Sequence, residues 1–122
     1  MDVATKKHRY GKERTQTFSL SGMNYRVSEK GQKEMSEKTP IMVALIREPN
    51  NQHDENAISV HLETYRRGMH VGYVPRGVAS VLAPLMDSGD LLVSSAWLTK
   101  VNPKAHEGEL LVTLRKKLHP NS

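Results

Sequence analysis

The chain contains no cysteine. That removes disulfide staples and every thiolate metal site, and it agrees with a reducing compartment. Aromatic residues are scarce, with one Trp, one Phe and four Tyr in 122 residues. No apolar run is long enough for a transmembrane helix, and no basic start precedes an apolar stretch, so no signal peptide is read. These absences predict a cytoplasmic protein, or a nuclear one in a eukaryote, with no membrane partner. Several catalytic patterns are missing too. There is no Gly-x-Ser-x-Gly, and no acidic residue is followed at the second position by Lys, as metal nucleases commonly arrange. Tyr10-Gly-Lys-Glu-Arg-Thr15 lacks the glycine, strand and helix of a phosphate loop. His61-x-Glu63 opens like a zinc-deaminase motif but has no Pro-Cys-x-x-Cys half. The six His show no metal-ligand spacing. His61 and His106 find no ligand partner at helical or hairpin spacing, so neither a metal site nor a cofactor is expected.

What is present is basic. Eighteen Lys and Arg stand against 13 Asp and Glu, which fits a polyanionic partner. Lys6, Lys7, Arg9, Lys12 and Arg14 crowd the start, and Arg115, Lys116 and Lys117 lie near the other end. A chain of this length is one domain. Residues 1–15 read as a disordered basic tail, either merely solvated or an arm along a phosphate backbone. Residues 16–118 read as the folded domain.

Period-two alternation predicts a strand at Thr17–Ser21, with Phe18 and Leu20 inward. Gly22–Tyr25 bends the chain, and Arg26–Thr39, polar and holding Gly31, reads as a loop or frayed strand end. Ile41–Ile46 and Ala57–Tyr65 read as strands. Gly68 supplies the positive φ of a reversal at 66–68, and Met69–Val74 returns as the hairpin partner. Apolar residues at 78, 81, 82, 85 and 86 have helical spacing, with Pro84 expected to kink the helix before it ends at Asp87–Asp90. Leu91–Val101 and Leu110–Leu114 are the last strands. Short strands with one late helix predict a mainly β fold, a small barrel of about six strands with one or two short helices.

The polar block Glu48–Asn56 lies between two strand-like runs. It holds three Asn, two Glu, an Asp, a His and a Pro, more than a reversal requires. Loops of this kind on rigid scaffolds carry binding groups. The plainer alternative is a surface loop whose Asn and Asp bond their own backbone.

This block, Arg47-Glu-Pro-Asn-Asn-Gln-His-Asp-Glu-Asn-Ala-Ile-Ser-Val60, is followed by Val71-Gly-Tyr-Val-Pro-Arg76 and by Leu82-Ala-Pro-Leu-Met-Asp87. In that order the segments resemble a HIRAN domain, over roughly residues 17–117. The resemblance implies an OB-like barrel that binds the 3′ end of single-stranded DNA. In the family, an aromatic pair after the first strand and an aromatic-Asp pair in the polar loop grip the terminal nucleotides, and the carboxylate accepts a hydrogen bond from the 3′-hydroxyl. Here Tyr25 occupies an aromatic position. Asn24 stands where a basic residue can occur, and Arg26 where a second aromatic can. His53 replaces the more usual Tyr, and Asp54 is retained.

Tyr25 and His53 offer flat faces for base stacking, while Arg26 can pair with phosphate or stack by its guanidinium plane. Arg76 and Lys100 are candidate phosphate contacts. Trp97 is either a stacking residue or core, and Asn56 either touches ligand or bonds loop backbone. The resulting expectation is a non-catalytic module for single-stranded or frayed DNA in repair or replication, working with a helicase-like ATPase or a nuclease. Two other readings stay open at this point. One is a protein-interaction adaptor using the same loop; the other is a weak metal-dependent nuclease.

Overall fold

The computed structural model describes residues 10–118. The expected disordered tail falls largely on residues 1–9, outside the described residues. Its end is folded. Strand β1 spans Arg14–Leu20, and Gly11 donates to the Lys116 carbonyl at 2.7 Å. Arg115 donates from Nε to the Gly11 carbonyl at 2.8 Å, so one of the basic residues near the C-terminal end clamps the chain's entry. The domain therefore begins before residue 16. An edge strand is held by its backbone, so Arg14-Thr-Gln-Thr17 can pair while its side chains stay exposed.

Five more strands follow: β2 Ile41–Arg47, β3 Ile58–Leu62, β4 His70–Tyr73, β5 Leu91–Asn102 and β6 Glu107–Lys116. The sheet order is β1-β6-β5-β2-β3-β4, and every pairing is antiparallel. The sheet curls into a half-barrel, the OB-like architecture expected. Alternation sets its inner face. Val43, Val60, Leu62, Val71, Leu98, Leu110 and Val112 are all buried. Trp97, between buried Ala96 and Leu98, points the other way and is half-exposed beside Met42 and Leu111. It is not core, because period two puts it on the outer surface.

Three helices pack against strands of the sheet: α1 Met23–Arg26 on β4, and α2 Glu29–Lys38 and α3 Arg76–Asp87 on β5. Helix α2 replaces the expected loop. Ser28 caps it by accepting from the Gly31 amide at 3.0 Å, and only Gln32 and Met35 are buried. Glu, Lys, Gln and Met are good helix formers, so a helix with almost no apolar stripe still forms. Helix α3 ends where its spacing places the end but runs unbroken through Pro84. That proline is exposed, so the hydrogen bond it cannot make lies toward water.

The two edges of the sheet meet at a bridge between Ser21 and Tyr73. Ser21 and Tyr73 exchange amide–carbonyl hydrogen bonds of 2.8 Å in both directions. The glycine before Tyr73 makes this approach possible. A Cβ on Gly72 would lie 2.5 Å from the Ser21 carbonyl oxygen and 2.9 Å from Leu20 Cδ1, closer than any side chain tolerates. The Val-Gly-Tyr segment thus has a steric reason for its glycine.

Candidate nucleic-acid interface

The seam between Ser21 and Tyr73 is also where a cavity of about 330 Å³ opens, lined by Ser21, Arg26, Asn51, His53, Asp54, Ala57, Tyr73, Val74 and Arg76. Its walls come from the end of β1, helix α1, the β2–β3 loop, the end of β4 and the first residue of α3. Every wall is anchored to the half-barrel, so a loop site acquires the rigidity of the sheet.

The β2–β3 loop is organised from within. The Asn51 side-chain oxygen accepts from the amides of His53 at 2.9 Å and Asp54 at 3.1 Å, and its amide group donates to Glu48 Oε1 at 2.9 Å. Asp54 Oδ1 in turn accepts from the Asn56 amide at 2.9 Å. These are the turn-forming side-chain bonds that such sequences favour, and their effect is to aim His53 and the second Asp54 oxygen at the cavity.

Arg47 fixes the loop from below. Its guanidinium donates to the carbonyls of Ala57 at 2.6 Å and Glu55 at 2.9 Å. A two-pronged pair with Asp87 at 2.8 and 2.9 Å ties the same side chain to the end of α3. Asp87, the last residue of α3, is therefore structural. The Arg47 hydrogen bond holds its carboxyl below the usual range.

Charge in the cavity is mixed and localised. Arg76 Nε lies 3.5 Å from Asp54 Oδ2, and the Arg76 guanidinium also bonds the His53 carbonyl. Its side chain is nonetheless 74% exposed, against 21% for Asp54. Opposite, Arg26 donates to the Tyr73 hydroxyl at 3.5 Å and lies over that ring, 5.7 Å from its centroid. The Tyr73 hydroxyl donates onward to Glu48 Oε1 at 3.1 Å. Burial and the bond to Glu48 raise the Tyr73 pKa, so it stays a donor. Burial pushes the Glu48 carboxyl up, but the hydrogen bonds from Asn51 and Tyr73 work against it, and its pKa lies below the usual value. The cavity thus presents two guanidiniums and one half-buried carboxylate.

Of the residues singled out in the sequence, Arg26, His53, Asp54 and Arg76 come together here. Tyr25 stands on the same turn as Arg26 and is 87% exposed, beside the cavity rather than in its wall. Asn24 is exposed on that turn, and Asn56 is half-buried in the loop. Lys100 lines a neighbouring groove that shares Ser21, while Trp97 lines neither. Sequence reasoning missed Ser21, Asn51 and Tyr73 as wall residues. Asn51 lay within the polar block, but Ser21 and Tyr73 meet only through the closure of the sheet.

Comparison with known proteins gives the site its context. Residues 14–115 match the HIRAN domain family model. The crystal structure of the HIRAN domain of human HLTF aligns with a TM-score of 0.64 at 26% identity, covering 84% of this chain and 76% of that one. The NMR structure of the same domain in its DNA-bound conformation aligns with a TM-score of 0.61 at 26% identity, covering 84% and 75%. An Arabidopsis thaliana protein named for SWI/SNF-related regulators of chromatin is 52% identical over 52 residues, which is 43% of this chain and 6% of that relative. Matched from the start of β1 into β6, and sharing the half-barrel of its structural neighbours, the chain belongs to the HIRAN domain family.

Proposed function

We propose that this domain binds DNA, as a single strand with a free 3′-hydroxyl end, and catalyses nothing itself. The observation that carries this reading is the Asp54 carboxylate sharing the wall of one small cavity with the Arg26 and Arg76 guanidiniums. Arg26 and Arg76 suit the phosphates of a strand entering from either side. Asp54 suits a hydroxyl, which can donate to it, and disfavours a further anion. Tyr25 and His53 supply ring faces at the rim for the last bases. The DNA-bound conformation described for the HLTF domain supports the polyanion part of this reading, and the basic balance of the chain agrees with it.

The domain would work next to the DNA-processing machinery, alongside a helicase-like ATPase or a nuclease in repair or replication, in the nucleus of a eukaryote or the cytoplasm of a prokaryote. Fluorescence anisotropy with labelled oligomers of one sequence, varying strandedness, sugar and the free end, tests it. Tight, salt-dependent binding of strands with an accessible 3′-hydroxyl is expected. Indifference to the oligomer's end removes the end-reading part, and no binding at low salt removes the nucleic-acid reading in favour of a protein-interaction role.

A further inference from the structure

Behind the Tyr73 wall, on the outer face of the sheet, the fold assembles a cluster that the sequence spacing does not announce. His61 on β3 and His70 on β4 are directly paired across the hairpin. Their rings stack with centroids 4.7 Å apart and planes 16° from parallel. Glu48, at the end of β2, joins them. One ligand atom from each of Glu48, His61 and His70 lies within 4.8 Å of the other two, and all three residues are half-buried. We infer that Glu48, His61 and His70 form a binding site for a divalent transition-metal ion of the zinc class.

Chemistry and geometry both support the assignment. His61 Nδ1 lies 3.3 Å from the Gly68 carbonyl oxygen, and His70 Nε2 lies 2.9 Å from that of Gly72. A carbonyl only accepts, so those two nitrogens carry the ring hydrogens. The opposite nitrogens, His61 Nε2 and His70 Nδ1, are then lone pairs. A backbone carbonyl behind each imidazole is the arrangement that fixes a metal-binding tautomer. At present His61 Nε2 faces the Ser59 hydroxyl at 3.0 Å, a partner that a cation would displace. On the carboxylate, Asn51 and Tyr73 both bond Oε1 of Glu48. Two imidazoles and a carboxylate are a ligand set that zinc and its neighbours accept, with a fourth position left to water.

The site must tighten to bind. Zinc bonds of about 2.0–2.2 Å in a tetrahedron need donors about 3.3–3.5 Å apart. The present separations of up to 4.8 Å close to that distance by rotation of His61 and His70 on the β3–β4 hairpin and of Glu48 just past β2, which slides the stacked rings apart. Arg26, which reaches the cluster through Tyr73, opposes a cation by charge. Glu48 counters it, and Glu63 and Glu34, nearby along the chain or on α2, are turned to other contacts or to solvent.

The test uses the full chain and zinc chloride in a buffer that does not chelate. Titration calorimetry is expected to give one zinc per chain. His61→Gln and His70→Gln should each weaken binding at least tenfold, and Glu48→Gln should weaken it as well. His106→Gln, which removes an imidazole on another loop, should leave it within threefold. Melting in chelator establishes that each variant is folded. Nitrogen chemical shifts of the imidazoles in the unmutated chain give an answer independent of any variant. Zinc should move His61 Nε2 and His70 Nδ1 to the values of ligated nitrogens. No binding at about 100 μM zinc, two variants that bind as the parent does, or shifts confined to other histidines would each overturn the assignment.

Discussion

Replacing the terminal 3′-hydroxyl of a bound oligomer by phosphate should weaken binding at least tenfold, and Asp54 should be the reason. One Asp54 oxygen is committed to the Asn56 amide at 2.9 Å, and the other is turned toward Arg76 at 3.5 Å. The second oxygen retains acceptor capacity on its cavity side. A hydroxyl donating to it makes a hydrogen bond to a charged group, worth about 1.5–3 kcal/mol, or roughly 10- to 150-fold. A phosphate there would set an anion against the carboxylate instead. Unit charges about 4 Å apart at an effective dielectric of about 20 repel by about 4 kcal/mol. Arg76 and solvent offset much of that, since Arg76 is mostly exposed, so tenfold is the conservative figure.

Anisotropy with a 5′-labelled strand carrying either end reads the ratio directly, and a closed circular strand supplies the zero. Asp54→Asn keeps an acceptor for the Asn56 amide, so the loop should survive while the discrimination shrinks. Asp54→Ala should also weaken hydroxyl-end binding, at some cost to loop stability. Equal affinity for both ends, or discrimination that persists in Asp54→Asn, would refute this role for the carboxylate.

Further expectations follow from the same geometry. Tyr25→Ala should weaken binding by about 1–3 kcal/mol, the worth of one stacked base. It should leave the melting temperature unchanged, because the ring is 87% exposed; a fall in stability would mean that Tyr25 packs rather than stacks. Gly72→Ala should destabilise the fold by about 1–3 kcal/mol, as overpacking does, and should lower oligonucleotide affinity as well, since the clash falls on the Ser21 carbonyl. Thermal melting and anisotropy together check this. Arg47→Ala should cost about 1–3 kcal/mol by stripping two loop carbonyls of their donor, visible in denaturant melts. The Asp87 carboxyl is held below its ordinary value of 3.8 by Arg47. Its contribution to stability is therefore present above that value and lost as pH falls through the lower folded one. Asp87→Asn should melt below the parent at pH 7, and the gap should close in acid.

Much of this molecule is legible in its residues. The hairpin of β3 and β4 follows from alternation and from Gly68, whose φ of 89° is the turn conformation expected. Helix α3 follows from its apolar spacing, and the β2–β3 loop stands out by composition. Helix α2 escapes because only two of its side chains point inward, so pattern says little where propensity and a serine cap decide. The pairing of His61 with His70 escapes for a different reason. Ser59 faces Tyr73 and Val60 faces Gly72, which would put His61 opposite Val71. An irregularity between Val60 and His61 shifts the register by one and brings His70 across instead. A bulge leaves no reliable trace in a single sequence. Ser21 and Tyr73 are likewise far apart along the chain, and only the curl of the sheet makes them neighbours.

That seam has a consequence for how occupancy can be observed. Two backbone hydrogen bonds join the edges of the half-barrel, and the cavity straddles them. By chain position Arg26 belongs to the β1 lip of the seam, just past Ser21, and Arg76 to the β4 lip, just past Tyr73; both line the cavity with Asp54. A strand gripped by both lips acts as a clasp, because the seam cannot part without releasing it. Binding free energy is then also closing free energy. The amide protons of Ser21 and Tyr73 should become the slowest-exchanging reporters of a loaded site, although neither amide touches the strand.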